Sequence, residues 1–167
     1  MLVGEMSTPT QLPSTAEHNP AVCKASRHQR VPFLITADER SLVDLELLLV
    51  TLPLCATGRV FVEVPDASWL TDLSVPARMT LTWLDRSRRT GTPGSGRDCA
   101  RGEALARAVS AWADEMLCDE PASTRIHLLG GYLGTAEIFD HLIGSVGVPA
   151  DQVRTPEQFG LAPTVTA

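Results

Sequence analysis

The stretch from Val31 to Asp66 constrains this chain more than any other. Val31-Pro32-Phe33-Leu34-Ile35-Thr36 is a short apolar run with the length and branching of a buried strand. Ala37-Asp38-Glu39-Arg40-Ser41 turns the chain into an amphipathic helix that ends near Leu52-Pro53. Gly58-Arg59 then opens a second apolar run, Val60 to Val64, closed by Pro65-Asp66. A strand, a crossover helix and a strand in so short a span form a βαβ unit, which requires parallel strands. A parallel sheet places any ligand crevice outside the carboxyl ends of its strands.

The rest of the chain extends the same alternation. Met79 to Leu84 reads as a third strand with one less buried face. A helix spans Glu103 to Leu117, with Leu105, Val109, Trp112, Ala113 and Met116 on one apolar face. Thr124 to Leu129 is a fourth strand, broken by Gly130-Gly131. A helix from Thr135 to Ile143 buries Ile138, Phe139 and Leu142, and a short strand lies near Gln152 to Thr155. Trp69 and Leu70, in the linker after the second strand, fold back over the sheet. The expected fold class is α/β: a Rossmann-like, doubly wound, mostly parallel sheet of four or five strands. The folded domain covers residues 30–155. Residues 1–29, rich in Ser, Thr, Pro and Gln, read as a disordered arm, and 156–167 as a tail.

Charge narrows the function classes. The formal net charge of −6 argues against a general nucleic-acid binder. No apolar run is long enough to span a bilayer and no signal peptide is recognisable, so a cytoplasmic protein without a membrane partner is expected. The cations are thirteen Arg and one Lys, Lys24. Five of the Arg fall between Arg86 and Arg101, an anion-binding signal on an acidic chain or else a solvated loop. None of Cys23, Cys55, Cys99 and Cys118 has Cys-x-x-Cys spacing. Cys55 and Cys118 read as small packing residues. Cys99 reads as a spectator, although Arg97 and Arg101 could activate it. His127 and His141 have no second ligand at metal spacing, and no metal site is expected.

Several blocks resemble one family in order and spacing: Ala37 to Leu42, Gly58 to Asp66, Leu81 to Arg86, Leu129-Gly130, and Gly147 to Val153. The family is that of the siderophore-interacting proteins, flavin-dependent ferric-siderophore reductases of the ferredoxin-reductase superfamily. The resemblance is to their C-terminal nicotinamide-binding half. It implies that NADPH or NADH binds, and that FAD is not bound by this chain alone. The implied cofactor-binding residues are Thr36, Ala37, Asp38 and Glu39 at the first turn, Arg86, Ser87, Arg88 and Arg89 after the third strand, and Gly130, Gly131 and Tyr132 after the fourth. Arg86 with Ser87 resembles the pair that holds the adenosine 2′-phosphate of NADPH in the superfamily. Asp38 and Glu39 have a second reading, as caps of the following helix. The chain departs from the family pattern at Ala37 and Arg40, at Gly131 where a Glu is usual, and at Phe159 to Pro163, which replaces an aromatic and basic segment.

The resemblance implies a domain that supplies NAD(P)H to a flavin domain on another chain; a second copy of the chain is also considered as a partner. The alternatives are a non-catalytic Rossmann-like interaction or regulatory module, and a regulator that binds another anion in the same crevice.

Overall fold

The computed structural model describes residues 31–117 and 123–161. The N-terminal arm, Cys23, Cys118 and the end of the tail lie outside the described residues. Strands β1 (Pro32–Asp38), β2 (Thr57–Val64), β3 (Arg78–Asp85), β4 (Arg125–Leu128) and β5 (Val153–Arg154) form one sheet in the order β3-β2-β1-β4-β5. Every pairing is parallel. The expected doubly wound α/β sheet is therefore present, with its strand order reversing between β1 and β4.

Helix α1 (Leu42–Thr51) joins β1 to β2, α2 (Glu103–Met116) precedes β4, and α3 (Tyr132–His141) follows it. Alternation along β1 sends its side chains to two layers. Leu34 joins Phe61, Leu84, Ile126 and Leu128 beneath α2 and α3, where Leu105, Val109, Ala113, Ile138 and Leu142 close the core. Phe33, Ile35 and Ala37 face the other way, with Val60, Val62 and Val64, under Leu45 and Leu49 of α1. Each fully buried Leu contributes about 1.5–3 kcal/mol. β3 is an edge strand, which explains its half-polar sequence.

Some expectations change. α3 starts three residues earlier than Thr135, so Tyr132 is its first residue. The helix continues as a wider π turn over Leu142–Val146, ended by Gly147 at φ +80°. Met116, the last residue of α2, is 62% exposed and does not join the buried face of Leu105, Val109 and Ala113. Trp69 and Leu70 are also exposed, and Leu73 pins the linker instead. α2 and α3 touch backbone to backbone where Gly102 meets Gly134: a Cβ on either would lie 2.9 Å from the Cα of the other. Gly102 also takes a left-handed conformation at the entrance to α2.

Candidate functional site

All five strands run in one direction, so their carboxyl ends share one edge of the sheet. Asp38, Glu63, Asp85 and the segment Leu129-Gly130-Gly131 therefore meet there. β1 runs two residues further than its apolar run suggests. Asp38 pairs in register with Glu63, so both carboxylates end up side by side at that edge.

Asp38 does not cap α1, which corrects that reading. The helix starts at Leu42, with Ser41 at the N-cap position and no side-chain cap. Asp38 still belongs to the strand, and its carboxylate fastens the turn. Oδ1 accepts from the Arg40 amide at 3.0 Å and the Ser41 hydroxyl at 3.2 Å. Oδ2 accepts from the Gly131 amide at 2.9 Å. One buried carboxylate thus joins the β1 turn to the N-terminus of α3, across the point where strand order reverses. A Cβ at Gly131 would sit 3.1 Å from that oxygen, so glycine suits the approach.

Glu39 does not cap the helix either. Its side chain turns away from α1, only 5% exposed, and pairs with Arg101 and, at 3.9 Å, with Arg86. Arg86 Nη1 donates to Glu63 Oε1 at 2.8 Å. Glu63 is wholly buried and also accepts from the amides of Gly102 at 2.8 Å and Leu105 at 2.9 Å. The cap of α2 therefore comes from a strand 39 residues earlier. Glu39, Glu63, Arg86 and Arg101 form one network that binds the ends of β1, β2 and β3 to the start of α2.

The residues expected at the site fall into separate places. Asp38, Gly130, Gly131 and Tyr132 line a cleft of about 650 Å³ at the β1/β4 switch point, together with Arg40, Ser41, Arg154, Thr155, Pro156, Gln158 and Phe159. Thr36 and Ala37 are fully buried within β1 and do not line it. Thr36 Oγ1 has no hydrogen-bond partner, while its carbonyl accepts from the Leu129 amide at 2.9 Å. Arg86 and Glu39 lie in the charge network. Ser87 donates its hydroxyl to Asp85 at 2.7 Å, Arg88 pairs with Asp85 at 3.4 Å, and Arg89 lies exposed. This loop does not reach the cleft.

The sequence reading missed Glu63, Arg154 and the role of Phe159. Glu63 carried a signal: a lone acid inside the run Val60 to Val64 must find a buried partner. Arg154 carried none, since only the sheet order places β5 beside β4. The ring of Tyr132, half exposed, meets that of Phe159 edge-on at 5.4 Å and makes an aromatic wall of the cleft. Arg40 and Arg154 have no ion pair among the described residues. The first amides of a helix have no partner within it, and Gly131 and Tyr132 at the start of α3 line the same cleft.

The remaining titratable groups look structural. Cys99 is buried in the core beside the Arg107 guanidinium, 3.6 Å away. His141 contacts Asp114 at 2.7 Å. His127 stacks on Phe33, and its pKa falls to about 4 because burial, then Arg154 and Arg125, disfavour its cation. Among the described residues no cluster of His, Cys, Asp and Glu could hold a metal, and no helix is long and apolar enough to cross a membrane.

Comparison with solved structures finds the same fold. The siderophore-interacting protein SipS of Aeromonas hydrophila aligns with a TM-score of 0.55 at 20% identity, over 74% of this chain and 48% of its own. A siderophore utilization protein from T. fusca aligns at 0.52 and 23% identity, over 75% and 43%. The siderophore-interacting protein of Acinetobacter baumannii aligns at 0.55 and 12% identity, over 77% and 46%. The chain thus spans less than half the length of these proteins. No curated protein matches it. The family description "Siderophore-interacting protein" matches residues 32–156, most of the sequence, and with the shared fold this places the chain in the siderophore-interacting protein family.

Proposed function

We propose that this domain binds a reduced nicotinamide dinucleotide, NADPH or NADH, in the cleft at the β1/β4 switch point, and serves a flavin carried by a separate domain in ferric-siderophore reduction. The observation that carries the reading is that two arginines with no ion pair among the described residues, Arg40 and Arg154, line a cleft with an aromatic wall. Ligands of open parallel sheets bind at such a switch point.

The first turn does not fit a pyrophosphate in the usual way. Its carboxylate faces the position, and Asp38 already takes the amides of Arg40 and Gly131. The start of α2 does not fit either, since Glu63 holds two of its amides. The cleft itself does fit: Arg40 and Arg154 can take phosphate oxygens as charge-assisted forks, and Tyr132 and Phe159 can flank a planar ring. The dinucleotide, when bound, supplies the hydride that a flavin accepts. The chain's own part is to orient it. Asp38 holds the α3 N-terminus against the β1 turn, and the aromatic wall limits water on one side.

A second reading, a non-catalytic interaction or regulatory module, draws on the charge network. Arg86 and Arg101 are committed to Glu39 and Glu63, so two of the five loop arginines are not free to grip a phosphate. Calorimetric titration with NADPH and with NADH separates the readings. Binding is expected, weakened roughly tenfold or more by Arg154→Ala or Arg40→Ala, since a hydrogen bond to a charged group contributes about 1.5–3 kcal/mol. No heat at millimolar dinucleotide would rule out cofactor binding and leave the interaction module.

A further inference from the structure

We propose that Arg125, His127 and Arg154 form a second anion site, on the α1 side of the sheet, that takes a doubly charged phosphate, free or at the end of a small ester. Arg125 pairs in register with Phe33, His127 with Ile35, and Arg154 with His127. Registered partners on neighbouring strands point to the same face. Phe33 and Ile35 lie in the layer beneath α1, so the three basic side chains share that side, on β4 and β5. Residues two apart on a strand stand roughly 6.6 Å apart, and neighbouring strands about 4.8 Å. Side chains as long as arginine reach one tetrahedral anion from such a triangle.

Phe33 positions two of the three. The Arg125 guanidinium lies over its ring, 6.0 Å from the centroid, and the His127 ring stacks on it at 6.3 Å. A guanidinium held over an aromatic face keeps its N–H donors for an anion. The charge here is unbalanced. The chain carries 20 Asp and Glu, yet neither Arg125 nor Arg154 has an ion pair among the described residues. The charges that act on His127 are Arg154 and Arg125, with no carboxylate to offset them, and Phe33 and Ile35 on β1 are uncharged. A single carboxylate would leave one guanidinium unmatched. A phosphate carries close to two charges at neutral pH and matches both. Arg154 also lines the β1/β4 cleft, whereas Arg125 and His127 do not, so the site adjoins the cleft and does not depend on a dinucleotide binding there.

Two measurements on the full chain test this. The first is titration with sodium sulfate, a divalent anion of the same shape, followed through the imidazole resonances of His127, which His127→Gln identifies. The His127 pKa should rise from about 4 by about one pH unit, with no such rise in sodium chloride at equal ionic strength. The second is calorimetry at neutral pH with inorganic phosphate and with methyl phosphate. Both should bind, and the tighter one tells free phosphate from an ester. Arg125→Ala, at an exposed position, should weaken both about tenfold with the circular dichroism spectrum unchanged, and Arg125→Lys should restore part of the loss. No heat from either ligand at tens of millimolar overturns the proposal, as does a His127 pKa that sulfate leaves alone or that chloride raises equally. Phosphate binding that survives Arg125→Ala but is lost in Arg40→Ala puts the anion in the cleft and overturns the second site.

Discussion

Glu63 and Arg86 meet at 2.8 Å inside the protein, with the glutamate fully buried and the arginine side chain 16% exposed. The same carboxylate accepts two amides at the start of α2. A buried acid at the carboxyl end of a strand would cost several kcal/mol if unpaired. Here it has three donors, and it organises the ends of three strands and one helix. Arg86, which the sequence offers as a phosphate ligand, is engaged by this acid.

Glu63→Ala should therefore destabilise the domain by about 3–5 kcal/mol, the usual cost of removing one partner of a buried ion pair. Arg86→Met should cost less, since the two amides remain on Glu63. Urea denaturation of both single variants and the double variant gives the coupling energy directly. A double variant whose loss equals the sum of the two singles would show that the pair does not act as a unit.

Asp38→Ala should cost about 1–3 kcal/mol, because the Arg40 and Gly131 amides lose their acceptor. The effect should be local. Hydrogen exchange at Gly131 and at the first turn of α3 should speed up, while exchange in β2 stays slow. Uniform acceleration across the sheet would mean that Asp38 supports the whole fold rather than the join between β1 and α3.

His127 predicts a pH dependence. Its pKa falls from 6.5 to about 4 in the folded state, first through burial and then through Arg154 and Arg125. The unfolded chain therefore binds a proton here that the folded chain does not, between those two values. Stability falls as pH drops from about 6.5 to about 4, and this contribution levels off below that. His127→Gln should flatten the thermal-stability profile in that window. The cleft cation Arg154 is paired in register with His127 from β5 and Arg125 lies on its own strand, so Arg154→Ala should move the folded pKa upward. An unchanged profile in both variants would remove His127 as the cause.

The sequence alone settles the parallel sheet, since an apolar run, a crossover helix and a second apolar run in so few residues leave no other layered arrangement. It also settles most of the core, because alternation in strands and three- and four-residue steps in helices determine which side chains turn inward. The family follows from those same blocks of sequence. Tertiary structure decides the chemistry of the edge. Asp38 and Glu39 look like helix caps in sequence because capping depends on local order. They act elsewhere because the pairing of β1 with β2 carries the strand two residues past its apolar run. Glu63 caps a helix 39 residues away, and Arg154 and Phe159 reach the cleft only because β5 lies beside β4. Contacts between residues so far apart in the chain leave no periodic trace in it. For that reason the fold could be read from the sequence, and the partners of its charges could not.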